Sequence, residues 1–361
     1  MPLRRIPFEK IENFRDLGGY ASSYGETSFN VIYRSGYLGD ASSKDIQTIK
    51  ALGIKTVLDL REEKERLRQP DVTKNDPSFT SVEISVNGRI PQDHEDMVNS
   101  YVENLSDFKA AREVFLNIAT CEKPMVLHCT AGKDRTGAFI AILLLANGVP
   151  FHDVNGDYML SFPYLTRMTK ETFKSMPDFP KALLTPNQFF LVEVMEKFNA
   201  LFGSIDHYFE ILGLDDETIT LLKNVLGKQE MSCGALVFNK EKILLEHMNQ
   251  GHYSLPKGHI EDKDGSLKGT AIREIKEEVG LDISFFGDEF VDTVYSPKPG
   301  VAKRVRFFLA STDSPRLSLQ KSEIQDAYWL DPSDVLKCIS HDSERAAFQK
   351  AYKLYISKYR K

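Results

Sequence analysis

The sequence is poor in anything that would staple it covalently or hold it in a membrane. Four cysteines are spread over 361 residues, Cys121, Cys129, Cys233 and Cys338, and no two form a Cys-x-x-Cys pair. That excludes a disulfide-dense scaffold and a zinc framework of paired cysteines, and a reduced, cytoplasmic protein is the expectation. No apolar run is long enough to span a bilayer; the longest, around Phe139 to Leu145, falls well short. Met1-Pro2-Leu3-Arg4-Arg5 has no apolar core after it and does not read as a secretory signal. Positive charge is not in excess: 46 Lys and Arg stand against 52 Asp and Glu, a formal net charge of −6, which argues against nucleic acid as the main partner. What remains is ordinary globular composition, 42% hydrophobic and 27% charged, at a length that suggests two domains or one large one.

The most informative stretch is His128-Cys129-Thr130-Ala131-Gly132-Lys133-Asp134-Arg135-Thr136-Gly137. A short apolar run, Pro124 to Leu127, precedes it and reads as a buried strand; Ala138 to Leu145 follows and reads as a buried helix. A cysteine therefore sits at a strand end and an arginine opens a helix. The loop N–H groups and the helix N-terminus make a cradle for phosphate. The same positive field favours the thiolate of Cys129 as a nucleophile. Arg135 can hold two phosphate oxygens with its planar fork.

On these residues the segment resembles the signature loop of the cysteine-dependent protein tyrosine phosphatases. Its Ala-Gly-Lys-Asp-Arg-Thr-Gly form is similar to a bacterial and fungal subgroup of broad specificity, acting on phosphotyrosine, phosphoserine or phosphothreonine, and phosphoinositides. The resemblance implies a phosphocysteine intermediate and no metal or other cofactor. It implies that Thr130, Ala131, Gly132 and Lys133 line the phosphate, that Thr136 hydrogen-bonds the thiolate, and that His128 supports the loop from below. Asn13 to Tyr20 and Val31 to Gly36 resemble landmarks of the same subgroup; read alone, their arginines are surface salt-bridge partners.

The reaction needs an acid for the leaving oxygen and then a base for water. The candidates are Asp134 in the loop, Asp59 near a strand end, and Asp93 or Asp96 in an acidic loop. The resemblance favours Asp134 as a loop residue without identifying the proton donor. No Trp-Pro-Asp loop exists, because the one tryptophan is Trp329. Lys133 is either a second cation for a polyanion such as an inositol phosphate or a solvated lysine offsetting Asp134.

Around this loop, strand and helix patterns alternate. Helices are expected over Ser42 to Leu52 and in one long run to about Ala119, and strands over Lys55 to Arg61 and Phe79 to Val86. Residues 162–203, with Met176-Pro177-Asp178-Phe179-Pro180, form either a helical lid, as the resemblance implies, or a peripheral helix pair. A helix capped at Asp215 closes a first domain of residues 1–228.

Residues 229–361 form the second domain. A hairpin of Met231 to Phe238 and Lys242 to Glu246 leads to the loop Tyr253 to Glu261 and a helix from Ser266 to Val279, closed by Gly280. Arg273-Glu274-Ile275-Lys276-Glu277-Glu278 places three carboxylates at i, i+3 and i+4, on one side of that helix. Clustered carboxylates raise one another's pKa unless a cation lies between them, and oxygen ligation of this kind suits Mg2+ or Mn2+ holding a diphosphate. With Pro256-Lys257-Gly258 before it and Val279-Gly280-Leu281 after, the segment resembles the Nudix box. Gly258, Glu274, Glu277 and Glu278 are then the implied metal ligands, with Glu277 also catalytic and Lys257 a phosphate contact. One departure stands out: Gly258 to Arg273 is one residue longer than the usual box, and the mid-loop Glu is replaced near Asp264-Gly265. Lys257-Gly258-His259-Ile260-Glu261 and Glu323…Tyr328-Trp329-Leu330 look most like the subgroup hydrolysing diadenosine tetraphosphate and, in relatives, diphosphoinositol polyphosphates. Glu323 is a candidate general base. Lys298, Lys303, Arg304 and Arg306 form a basic stretch suited to further phosphates, and Tyr253 or Tyr295 could stack on a base.

The expected architecture is α/β: a tyrosine-phosphatase-like sandwich followed by a Nudix α/β/α sandwich. The expected function is a bifunctional phosphohydrolase acting on phosphorylated small molecules, with inositol (pyro)phosphates as the shared substrate class. The alternatives are a phosphoprotein phosphatase joined to a dinucleoside polyphosphate hydrolase, or one domain serving as a nucleotide- or inositol-phosphate-sensing module.

Overall fold

The computed structural model describes residues 3–175 and 184–360. The chain divides into two compact units, Met1–Lys228 with Lys298–Gly300, and Gln229–Pro297 with Val301–Lys361. Among the described residues no helix is long and apolar enough to cross a membrane.

The first unit is built on a sheet in the order Arg15–Asp16, Ile32–Ser35, Met125–His128, Thr56–Asp59, Thr80–Glu83. The first pair is antiparallel and the rest are parallel. Because side chains alternate along a strand, the three inner strands feed two cores. Tyr33, Val57 and Val126 pack with Ile49 of the helix Ser43–Ala51 on one face. Ile32, Leu58, Met125 and Leu127 pack on the other face against the helices His94–Ser106, Phe108–Thr120 and Asp134–Ala146. The last of these is apolar nearly all round and accordingly buried from Arg135 to Leu144.

Where one long helix was expected up to Ala119, there are two. Asp107 (φ −74°, ψ 80°) ends the first and caps the second, its carboxylate accepting from the Ala110 N–H at 3.1 Å. The apolar period runs straight across this position, so only the local competition of the aspartate side chain for backbone N–H groups marks the break. The lid expectation falls partly on residues 176–183, outside the described residues; flanking them are the helices Thr166–Ser175 and Phe190–Phe202.

The second unit is a seven-stranded sheet between helices. Lys242–Met248 pairs antiparallel with Ile324–Leu330 and Tyr253–Ser254; Lys228–Asn239 pairs with Lys257–His259. Ala235, Val237, Leu244, Phe308 and Ala310 face the helix Leu267–Val279. Their neighbours Leu236, Phe238, Ile243, Leu245, Phe307 and Leu309 face the helices Pro332–Cys338 and Asp342–Lys358. Ser266 caps the first of these helices and Gly280, at φ 74°, ends it in the left-handed region.

Candidate active sites

In the first unit the loop after Met125–His128 is fixed by its carbonyls. Tyr37 N–H donates to the Thr130 carbonyl at 2.9 Å, Asn13 Nδ2 to that of Ala131 at 2.9 Å, and Arg34 to that of Gly132 at 2.7 Å. In a trans peptide the N–H points opposite to the C=O, so these bonds turn the N–H groups of residues 131–133 away from the scaffold. Gly132 has φ +65°, and a Cβ there would lie 2.0 Å from the Ser35 carbonyl oxygen. Thr130, Ala131, Lys133, Asp134 and Arg135 line a cavity of about 440 Å³, and Cys129 lies buried at the base of the same loop.

The landmark arginines correct their reading as surface partners. Arg15 and Arg34 are both buried and share the carboxylate of Asp157, at 2.7 and 2.5 Å. Tyr20 donates to the same group at 2.8 Å. Burial would raise the Asp157 pKa, but the two guanidiniums hold it well below the usual carboxylate range. Arg34 thus couples a buried charge cluster to the Gly132 carbonyl.

Arg135 meets a partner that the motif does not contain. Its terminal nitrogens lie 2.6 and 2.9 Å from the two oxygens of Glu65, and Thr130 Oγ1 donates to Glu65 at 2.7 Å. Burial would raise the Glu65 pKa, but Arg135 and Thr130 bring it down to about 2. Lys133 is not a solvated lysine: it is buried, with its ammonium 2.6 Å from Asp134 and over the rings of Tyr158 and Phe162. Tyr101 donates to Asp134 at 2.9 Å, yet the Asp134 side chain stays 45% exposed at the cavity wall.

Asp59 is not brought to that wall. It is buried and forked by Arg61, with contacts of 2.6 to 3.1 Å, which corrects its candidacy as the acid. Asp93 caps the helix His94–Ser106, and Asp96 pairs with Arg89 at 2.8 Å. Beneath Cys129, His128 is fully buried; its Nε2 lies 3.0 Å from Asp71 and 3.9 Å from Asp59, and its Nδ1 is 3.2 Å from the Cys129 carbonyl. Burial alone would lower the imidazole pKa, but the two aspartates raise it; His128 in turn helps hold Asp71 down to about 2 against its own burial. The ligand atoms of Asp59, Asp71 and His128 lie within 4.8 Å of one another, as in a metal site. Arg61 and His128 already neutralise the two carboxylates, so the group stands as a salt-bridge network. Thr136 Oγ1 is buried with no hydrogen-bond partner among the described residues. Leu165, Met168, Thr169 and Thr172 close one side of the cavity, from the helix Thr166–Ser175 and the residue before it.

In the second unit Arg273 ties the box together. Its guanidinium holds both oxygens of Asp264 at 2.6 and 3.0 Å, Glu274 and Glu277 at 2.9 Å each, and the His259 carbonyl at 2.7 Å. The longer loop is taken up by a 3-10 turn, Asp262–Asp264, and by Gly265 at φ 66°. Asp264 is therefore the arginine's partner within the loop. The three box carboxylates differ in setting: Glu278 is buried, the Glu274 side chain is 14% exposed, and that of Glu277 is 47% exposed. Gly258 lies so close to Glu274 that a Cβ would fall 1.9 Å from its carboxyl carbon.

Burial pushes the Glu278 carboxyl up strongly, and repulsion from Glu246 and Glu274 adds to it. Glu278 Oε2 and both oxygens of Glu246 are buried without hydrogen-bond partners among the described residues. Orphaned carboxylate oxygens beside a tight backbone loop are the donor set that a hard divalent cation takes, so these residues fit Mg2+ or Mn2+. Glu323 is exposed, and its charge is among those that raise Glu274, Glu246 and Glu278.

Two expected phosphate contacts are engaged elsewhere. Lys257 points into a largely buried pair with Glu344 at 3.2 Å, shared with Ser254. Arg304 lies 3.5 Å from Asp292, which Arg306 grips at 2.8 Å. Tyr253 stacks on His247, with centroids 4.4 Å apart, and burial pushes the Tyr295 phenol up, with Lys257 opposing and Glu344 adding to the shift. Sequence reasoning missed Glu65, Asp71, Glu344 and Glu246. The only advance signal was at Glu246, an acid that follows Ile243-Leu244-Leu245 and shares the parity of Leu244.

Residues 6–228 match the tyrosine phosphatase family, and residues 228–352 match the NUDIX domain. A tyrosine-protein phosphatase of Nostoc commune is 33% identical over 149 residues, covering 38% of this chain and 51% of that protein. The chain thus spans about half the length of that relative. The triple specificity protein phosphatase PtpB of Mycobacterium tuberculosis is 23% identical over 279 residues, 63% of this chain and 99% of that one. A C. elegans Ap4A hydrolase structure has 23% identity and a TM-score of 0.33, covering 36% of this chain and 99% of its own. The chain belongs to the tyrosine phosphatase family and carries a NUDIX domain after the phosphatase domain, both of them enzyme families.

Proposed function

We propose a bifunctional phosphohydrolase whose two domains act on phosphorylated small molecules, with inositol (pyro)phosphates as the substrate class. The observation that carries the first activity is the loop geometry: N–H groups of residues 131–133 turned from the scaffold, Arg135 at the cavity wall, and Cys129 buried at the base of the same loop. The Cys129 thiolate attacks phosphorus and the bond to the leaving oxygen breaks. Asp134, the exposed aspartate of that wall, gives its proton to the leaving oxygen. Water then attacks the phosphocysteine; Asp134 takes the water proton, the P–S bond breaks, and thiolate and phosphate are released. The Thr136 hydroxyl, without a partner among the described residues, can hydrogen-bond the departing thiolate. Lys64, Arg68, Arg89, Lys133 and Arg135 outnumber Glu62, Glu65 and Asp134 in the cavity lining, a cationic balance that suits several phosphates on one substrate. A reducing, cytoplasmic setting fits a nucleophile that must remain a thiol.

In the second domain Glu274, Glu277, Glu278 and the Gly258 loop would hold Mg2+ or Mn2+. When bound, that cation polarises phosphoryl oxygens and favours hydroxide from water. Glu323, exposed and electrostatically coupled to the carboxylate group, would take a proton from the attacking water. A second reading, a dinucleoside polyphosphate substrate, is favoured by the Tyr253–His247 stack, which offers a flat surface to a base.

Product analysis on purified protein with Mg2+ separates them. Consumption of inositol pyrophosphate in preference to diadenosine tetraphosphate is the expected result. Preference for the dinucleotide, with phosphotyrosine peptide the best monoester, would replace the shared-substrate reading with the second one.

A further inference from the structure

Glu246 lies outside the box, on the strand Lys242–Met248. Its place in the sheet is fixed by register. Leu244, two residues earlier, packs beneath the box helix, while Ile243 and Leu245 pack on the opposite core. The period of two puts Glu246 on the box-helix side. Ala327, its cross-strand partner, packs in the same cluster as Leu244. From the other side the box helix contributes Glu278, one position from the core residue Val279 and one turn from Glu274.

Both carboxylates are almost wholly buried, at 1% and 2% exposure. Among the described residues, three of their four oxygens have no hydrogen-bond partner. Such a pair is costly, because each unpaired buried charge loses its hydration and repels the other. The Lys257 charge favours both carboxylates, but its ammonium is engaged by Glu344 and Ser254 and gives Glu246 no hydrogen bond. A carboxylate that only filled space here would be expected to find a donor, as Glu344 does at the Leu255 N–H and Ser254 hydroxyl.

We infer that Glu246 is a further oxygen ligand of the divalent-cation site, supplied by the sheet and facing Glu278 across the site. The assignment rests on the reading of this domain as a metal-dependent Nudix hydrolase and extends its ligand set beyond the box. The cation takes the place of the missing donors: it accepts lone pairs from carboxylates that have no N–H or O–H to meet. Sheet and box helix are then linked through the metal, so cation binding tightens the packing of the helix on the sheet as well as holding diphosphate.

The test uses the full chain and Mn2+ alone, followed by paramagnetic resonance of the free ion, with thermal melting in parallel. Wild type, Glu246→Gln and Glu278→Gln are compared. The expected result is Mn2+ affinity about 10-fold or more weaker in Glu246→Gln, the scale seen when groups around a metal are altered. The metal-free melting temperature should be unchanged or higher, since one of two repelling buried charges is gone, and the Mn2+-induced rise in melting temperature should shrink. If Glu278→Gln weakens binding and Glu246→Gln does not, Glu246 is a structural acid and this assignment falls alone. If wild type and both variants bind Mn2+ equally poorly, the metal-dependent reading of the domain falls as well. Should the glutamine variant fail to fold, Glu246→Asp keeps the charge and withdraws it by one methylene: weaker Mn2+ binding supports the assignment and unchanged binding overturns it.

Discussion

Glu65 grips both terminal nitrogens of Arg135, the side chain proposed to hold the substrate phosphate. Such a fork-to-fork pair fixes the guanidinium plane before substrate arrives. Glu65→Gln keeps the shape and loses the charge; kcat/KM for a phosphomonoester should fall about 10-fold, with most of the loss in KM. A rise in kcat/KM would show that the carboxylate blocks the cradle. The His128–Asp71 pair makes a pH prediction. The His128 pKa is raised, so its share of the stability is complete below the ordinary imidazole value of about 6.5 and is lost as pH climbs past the raised value. Asp71 is depressed to about 2, so its share is present above the ordinary carboxylate value and is lost as pH falls toward 2. Both contributions are whole between about pH 4 and 6.5. Asp71→Asn should therefore cost about 3 kcal/mol near pH 5.5 and progressively less as pH climbs past the raised imidazole value, read from urea melts across an alkaline pH series. A cost that stays constant along that series would contradict the ion pair. Neither Glu65 nor Asp71 was legible as a site residue, because each reaches the loop through tertiary contacts more than 50 positions away in sequence.

At the scale of elements, loops are held by close backbone approach. Gly258 admits Glu274 only because it has no side chain. Gly258→Ala should displace the loop or the carboxylate, weaken Mn2+ binding about 10-fold and leave phosphomonoester hydrolysis unchanged; retained Mn2+ affinity would separate Gly258 from the metal site. Most elements were legible because their periodicity is plain: the run Ala138 to Leu145 predicts a buried helix, and the acids of Arg273 to Glu278 sit on one that Ser266 and Gly280 bound. The break at Asp107 was not, since an aspartate within an amphipathic pattern reads as a surface residue until its side chain is seen to cap. The burial of Arg15 and Arg34 was hidden for a similar reason: charge on short strands suggests solvent, and only Asp157, more than 120 positions away, reveals the cluster that carries the Gly132 carbonyl.

Across the whole molecule, the central claim is that one chain holds two independent chemistries, a thiol that forms a phosphoenzyme and a carboxylate set that works with a divalent cation. The motifs made both chemistries legible, because nucleophile, arginine and box acids are nearly contiguous in sequence. Substrate choice was less legible, since it depends on cavity walls assembled from Glu62 to Leu184 and on side chains such as Lys257 that turn inward. The most direct test measures phosphomonoester and pyrophosphate hydrolysis side by side in wild type, Cys129→Ser and Glu277→Gln, with and without Mg2+. The account predicts that Cys129→Ser abolishes only the first activity, that Glu277→Gln or removal of Mg2+ abolishes only the second, and that each variant keeps the other activity. Loss of both activities in either folded variant, or of neither, would contradict it.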